Sequence, residues 1–291
     1  MHTKCPNSEC GQEYKIKSEM VGVTARCRKC NSVFEIQPFE KKVIIDLGED
    51  VFSDEVSEDD TNDEKRGRRS SQEIIQEKIE DIRIAVNEIM PLLSNALERK
   101  ENESNTRLIL NKMLQKVLGY SIEDMKTEQK IEGRKADYVL SIKGEDSLVI
   151  EAKRIGANLR EQQIFQATSY GAQSGIKWVV LTNAVVWQLY HISTCDRIET
   201  DLVFTIELRD GLDDDEAYFF YLISKDGMSR KNLLLNLWQK ISTLCYDNIV
   251  TAILSEDVIS KIRSTLSKQT GFNKVTNDDV RNVIEENIFQ L

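Results

Sequence analysis

The chain has 291 residues, of which 40% are hydrophobic and 30% charged, so it can bury a substantial core. It contains no apolar run of about eighteen residues, which excludes a membrane-spanning helix from the expectation. The polar opening, Met1 to Glu13, lacks the apolar stretch of a secretory leader, and a cytoplasmic location is expected.

The net charge of −10 argues at first against a nucleic-acid partner. Its distribution changes that reading. Residues 43–64 carry Asp46, Glu49, Asp50, Asp54, Glu55, Glu58, Asp59, Asp60, Asp63 and Glu64, with no Lys or Arg. Those acids equal the whole net charge, so the rest of the chain is neutral. Charge therefore neither supports nor excludes DNA.

Four of the six cysteines fall in the first 30 residues. Cys5-x4-Cys10 and Cys27-x2-Cys30 have the pairing of a tetrahedral site for structural Zn²⁺, the reading favoured over disulfides in a cytosolic chain. Tyr14, Ile16, Val33, Phe34 and Ile36 offer the small apolar core of a zinc ribbon over residues 1–42. Ala25 to Phe34 resembles the second half of short bacterial zinc ribbons. Arg26, Arg28 and Lys29 either touch phosphate or are solvated knuckle residues, and His2 is a further candidate ligand. Cys195 and Cys245 read as ordinary core or surface residues. Residues 43–71, acidic and then basic at Lys65 to Arg69, read as a disordered linker.

Periodic structure begins at Gln72. Ile75, Ile79, Ile82, Val86, Ile89, Leu93 and Leu97 recur at helical steps, and Pro91 is expected to kink or end that helix. A second helix is expected from Asn105 to Leu118, stopped by Gly119. Strands are expected over 137–142 and 147–153, joined by Lys143-Gly144-Glu145-Asp146 as a hairpin. A helix over 159–173 and strands over 177–182, 185–190 and 201–206 follow, with a tight turn at Asn183-Ala184. These elements make residues 72–212 an α/β core, a mixed sheet flanked by helices. Residues 213–291 read as a helical region, with helices over 218–223, 233–253, 258–266 and 278–289, serving packing or partner contact.

The hairpin carries the chemistry. Residues two apart in a strand share a face, so Glu151 and Lys153 point the same way. With the turn centred near Gly144, Asp137 falls opposite Glu151 within one residue of register. Two carboxylates that close repel unless a cation or proton lies between them. Together with the Ala152 carbonyl they form a hard oxygen site for Mg²⁺, and the lysine can serve an attacking water. Glu-x-Lys alone is more often solvated charge. Here it ends the run Leu148-Val149-Ile150, where buried charge is costly without a purpose.

These residues resemble the PD-(D/E)xK nucleases, and residues 102–192 resemble the N-terminal nuclease domain of type I restriction enzyme R subunits. The resemblance runs through Asn102 to Arg107, Leu118-Gly119-Tyr120, Ala136-Asp137-Tyr138, Glu151-Ala152-Lys153, Gln166 to Tyr170, Thr182-Asn183 and Trp187 to Tyr190, in order. It implies a restriction-endonuclease-like fold in which Asp137 and Glu151 hold Mg²⁺ and Lys153 assists the water. It also implies that Glu103 lies near the site as an outer ligand, and that Gln166 and Tyr170 face DNA or the carboxylates. Plain alternatives are a surface position for Gln166 and simple packing for Tyr170.

R subunits continue into an ATP-driven motor, but this chain has no Gly-x-x-x-x-Gly-Lys-Ser/Thr loop. Cleavage would then be autonomous, as a homodimer for two-strand cutting, or would depend on a separate recognition or motor protein. The function expected is Mg²⁺-dependent DNA cleavage in restriction or anti-phage defence. The alternative is a non-cleaving nucleic-acid-binding or adaptor protein built on a retained nuclease fold and the zinc ribbon. A weaker reading is a regulator whose acidic linker binds a basic partner.

Overall fold

A computed structural model describes residues 2–6, 13–15, 22–36, 70–131, 133–194, 197–208, 211–230 and 232–289. The chain divides into two compact units, Met1–Asp46 and Leu47–Leu291. In the first unit, β1 (His2–Lys4) pairs antiparallel with β2 (Glu13–Lys15), and β3 (Thr24–Arg26) with β4 (Val33–Glu35). Cys5, Cys27 and Ile36 are its buried residues among those described. Cys10, Cys195 and nearly all of the expected linker (43–69) lie outside the described residues.

The second unit opens with α1 (Ser71–Glu98). Ser70 and Glu73 close a capping box at its start, and Ile75, Ile79, Ile82, Val86, Ile89 and Leu93 form its buried stripe. The helix runs through Pro91 without ending. The stripe on both sides of the proline stays buried, so packing outweighs the one backbone bond the ring removes. α2 (Glu103–Lys116) is capped by Asn102, whose side chain accepts the Asn105 amide at 2.9 Å. Gly119 (φ 73°) terminates this segment, and Tyr120 N donates back to the Leu114 carbonyl at 3.0 Å.

The sheet has six strands in sequential order: β5 (Met125–Ile131), β6 (Arg134–Ile142), β7 (Glu145–Ala152), β8 (Trp178–Thr182), β9 (Val186–Ser193) and β10 (Glu199–Glu207). Every neighbouring pair is antiparallel except β7 and β8, whose crossover carries α3 (Phe165–Ser174). One face packs under α3, where Val139, Val149, Val179, Leu181, Tyr190 and Ile192 meet Ala167 and Tyr170. Gly171 belongs to that contact: a Cβ there would meet Ile192 Cδ1 at 2.7 Å. α4 (Asp214–Leu222) packs on α1 and β10 and places Phe220 edge-on to Trp187, 5.4 Å between centroids.

The remaining region is helical, as expected: α5 (Lys225–Ser229), α6 (Leu233–Thr243), α7 (Tyr246–Ile253), α8 (Glu256–Thr270) and α9 (Asn277–Val283), with a final π-helical turn over Ile284–Phe289. The single helix expected over 233–253 is broken at Leu244–Cys245, where α7 starts afresh. Ile259, Val280 and Ile284 form a small separate core. No helix among the described residues is long and apolar enough to cross a membrane.

Candidate active site and cysteine cluster

The hairpin register is set by two local features. Lys143 (φ 52°) and Gly144 (φ 86°) both take left-handed backbone, as a two-residue turn matched to strand twist requires. That turn pairs Ile142 with Glu145 and Ser141 with Asp146. Continued unchanged, it would set Asp137 against Ile150. A bulge at Ser147 shifts the frame instead, giving Leu140–Leu148, Val139–Val149 and Tyr138–Ile150. The next step of that frame faces Asp137 with Glu151. A one-residue slip would have sent the two carboxylates to opposite faces of the sheet.

Both carboxylates are buried, each at 6% exposure. Asp137 Oδ2 accepts the Ala152 amide at 2.9 Å, and Oδ1 accepts from Arg107 at 2.7 Å. Lys153 Nζ donates to Glu151 Oε1 at 2.6 Å, while its own amide donates to the Thr182 carbonyl at 2.8 Å. Burial pushes the Glu151 carboxyl above the usual carboxylate range. The Lys153 hydrogen bond pulls it back, and the Asp137 and Glu103 charges push it up again. The site thus lies at the carboxyl ends of the parallel pair β7 and β8, where open α/β sheets hold their ligands.

Side chains to which the sequence pattern gave no role hold this corner. Buried Thr106 accepts the Ile155 amide at 2.8 Å and donates to the Asn102 carbonyl at 2.9 Å, fixing α2 to the segment after Lys153. Asn183 donates to the Ala157 carbonyl at 2.8 Å. Arg107, one helical turn after Glu103, contacts Glu103 at 3.0 Å, Asp137 at 2.7 Å and Glu128 at 3.7 Å. Glu128 lies on β5 between the pairs Thr127–Tyr138 and Gln129–Ala136, so its frame faces Asp137, and it takes left-handed backbone (φ 52°). Such backbone at a non-glycine costs about 1 kcal/mol or more and collects at functional sites.

Of the candidates read from sequence, Asp137, Glu151 and Lys153 come together. Glu103 is near enough to act on Glu151 electrostatically but pairs with Arg107. Gln166 is exposed in the first turn of α3, and Tyr170 is buried in the core beneath it. Among the described residues neither is hydrogen-bonded to the three central side chains. Two buried carboxylates and the Ala152 carbonyl are an oxygen donor set that fits a hard divalent cation.

Residues 102–202 match the family model described as the type I restriction enzyme R protein N terminus. The match spans about a third of the chain. It contains Glu103, Arg107, Asp137, Glu151, Lys153, Gln166 and Tyr170, and it leaves out the cysteine cluster and α4 to α9. No curated protein and no solved structure matches the chain.

In the first unit, the Sγ atoms of Cys5, Cys27 and Cys30 lie within 4.8 Å of one another, with Cys5 and Cys30 at 3.5 Å. The turn Cys27 to Ser32 brings Cys27 and Cys30 together. Asn31 N donates to the Cys27 carbonyl at 2.9 Å, Cys27 N to the Ser32 carbonyl at 2.8 Å, and Asn31 takes left-handed backbone. Among the described residues this is the one group of three such ligands close enough to share a metal ion. Soft sulfur donors fit zinc.

Proposed function

We propose that the protein is a divalent-cation-dependent DNA endonuclease of the PD-(D/E)xK kind, acting in restriction or defence against foreign DNA. The observation that carries the reading is the buried pair Asp137 and Glu151 with Lys153 held against it, inside the segment similar to the restriction enzyme R protein N terminus. Two facing acids at the end of an apolar strand are costly to bury, and a cation shared between them removes that cost.

Asp137, Glu151 and the Ala152 carbonyl hold the cation. When bound, Mg²⁺ polarises a phosphoryl oxygen and lowers the pKa of a coordinated water. Lys153, kept in place by Glu151, orients the attacking water or stabilises charge growing on the phosphate. Asp137 is itself oriented by the Ala152 amide, so carboxylate and strand backbone move together. Gln166, exposed at the start of α3, contacts DNA. In the first unit, Cys5, Cys27 and Cys30, with Cys10 as fourth ligand, bind a structural zinc. One such centre cuts one strand, so double-strand cutting takes a second copy or a recruiting partner.

The test is cleavage of supercoiled plasmid with Mg²⁺ or Mn²⁺ by wild type, Asp137→Ala and Lys153→Ala. Metal-dependent nicking by wild type alone is the expected result. Binding by all three proteins with cutting by none, on plasmid, linear or single-stranded DNA, would move the assignment to a non-cleaving adaptor.

A further inference from the structure

Arg107 of α2 reaches the buried carboxylate Asp137. Its guanidinium sits among Glu103, Asp137 and Glu128, at 3.0, 2.7 and 3.7 Å. The side chain is only 26% exposed, and its Nε is buried with no hydrogen-bond partner among the described residues. Arginine presents five donors in a rigid fork, so a buried orphan donor marks a fork not fully satisfied in this seat.

Asp137 has two oxygens. Oδ2 is tied to the backbone of the neighbouring strand through Ala152. Oδ1 accepts from Arg107 instead. A divalent cation bound through Oδ1 would lie beside the guanidinium, and like charges at such separations repel strongly where water is scarce. Cation and guanidinium therefore compete for one oxygen. Arg107 need not leave the site when it loses, because Glu103 on its own helix and Glu128 on β5 offer other seats. From there the fork is free to take two oxygens of a phosphate, the group for which guanidinium geometry is best suited.

We propose that Arg107 is a switch residue of this site. It occupies Asp137 until a divalent cation displaces it, then turns to the substrate phosphate. Cation loading and phosphate binding are thereby coupled, each favouring the state the other needs. The inference rests on the nuclease reading given above and deepens it.

The test measures Mn²⁺ binding to the full chain by the loss of the free-ion paramagnetic resonance signal, without DNA. Wild type, Arg107→Gln and Arg107→Lys are compared, and Asp137→Asn identifies the site. Arg107→Gln removes the competitor and is expected to bind Mn²⁺ about tenfold tighter than wild type. Its plasmid cutting at saturating Mn²⁺ is expected to fall by about tenfold or more, because the phosphate loses its fork. Arg107→Lys keeps the charge, so its Mn²⁺ affinity stays near wild type while cutting at saturating Mn²⁺ falls. Equal or weaker Mn²⁺ binding by Arg107→Gln overturns the switch and leaves the nuclease reading standing. Absence of any Asp137-dependent Mn²⁺ site in wild type and Arg107→Gln overturns both. If Arg107→Gln does not fold, Arg107→Lys decides alone: cutting equal to wild type at saturating Mn²⁺ overturns the proposal.

Discussion

Asp137 accepts the amide of Ala152 at 2.9 Å, so one oxygen of the carboxylate is spent on the backbone beside Glu151 before any ligand arrives. This separates the structural from the chemical role of the residue. Asp137→Asn keeps an oxygen for the Ala152 amide but removes the charge. It should fold, lose the Arg107 ion pair because its amide nitrogen then meets the guanidinium donor to donor, and lose metal-dependent cutting by about a hundredfold or more. Asp137→Ala loses the Arg107 pair as well and also leaves the buried Ala152 amide unsatisfied, a further cost of about 1–3 kcal/mol. Thermal unfolding of the two variants checks this. Equal melting temperatures would show that the Ala152 bond contributes nothing to stability.

The bulge at Ser147 yields a less obvious expectation. It is the extra residue between the pairs Ser141–Asp146 and Leu140–Leu148. Deleting Ser147 turns the bulge into regular ladder without changing any of those partners, so Asp137 still faces Glu151. The deletion variant should fold and keep most of its cutting, with a modest loss of stability from the altered local twist. Deleting Val149 instead moves Glu151 one step out of register and should abolish cutting. Loss of the fold in both deletions would mean that the bend itself is required.

His191 supplies a pH dependence. It is buried on β9, stacked on Trp238 at 3.8 Å between centroids and edge-on to Trp178 at 4.8 Å. Burial, and secondarily the Lys177 charge, hold its imidazole below the usual range, with Asp201 opposing. Above about pH 6.5 both folded and unfolded chains carry it neutral, and it adds no slope. Below that, the unfolded chain takes up a proton that the folded chain resists, so stability falls with pH until the folded imidazole also titrates. The loss is at most about 1.4 kcal/mol per pH unit across that window. His191→Phe keeps a ring against Trp238 and should flatten the stability profile from about pH 7 to 5. The raised Glu151 carboxyl works in the opposite direction, and subtracting the variant's profile from that of wild type cancels it. An unchanged slope in the variant would place the pH dependence elsewhere.

The legible part of the site was the part encoded locally. Asp137, Glu151 and Lys153 lie on two strands of one hairpin, so the period of two and the turn position brought them together. Even there, the turn alone gives the wrong frame by one residue, and the bulge at Ser147 leaves no mark in composition. β5 was missed because it is an edge strand whose sequence, Met125 to Ile131, is mostly polar and exposed. With it went Glu128. Arg107 lies in the stretch that carries the resemblance but receives no role from it, since nothing local tells a helix face which strand edge it will meet. The spacing of Gln166 and Tyr170 placed both on α3 but not at one depth: Tyr170 fills the core, and Gln166 meets solvent. The apolar period ran on through Leu244 and Cys245, hiding the break between α6 and α7. The register of six strands is likewise a product of tertiary contact rather than of any one segment.

The cysteine cluster gives the last expectation, and the two-unit division shapes it. The sulfur atoms of Cys5, Cys27 and Cys30 lie within 4.8 Å of one another, and with Cys10 they are the proposed zinc ligands. In a unit of under fifty residues the proposed zinc would supply much of the stability, on the order of 10 kcal/mol for structural zinc. The purified chain should release one zinc on thiol modification. Cys27→Ser and Cys10→Ser should each lose it and expose the first unit to protease. The second unit has its own core and should melt at an unchanged temperature in both variants and after chelation. Zinc retained in Cys10→Ser but lost in Cys27→Ser would give the fourth corner to another donor, His2 or water. A chelator that lowers the melting temperature of the second unit would mean that the two units stabilise each other.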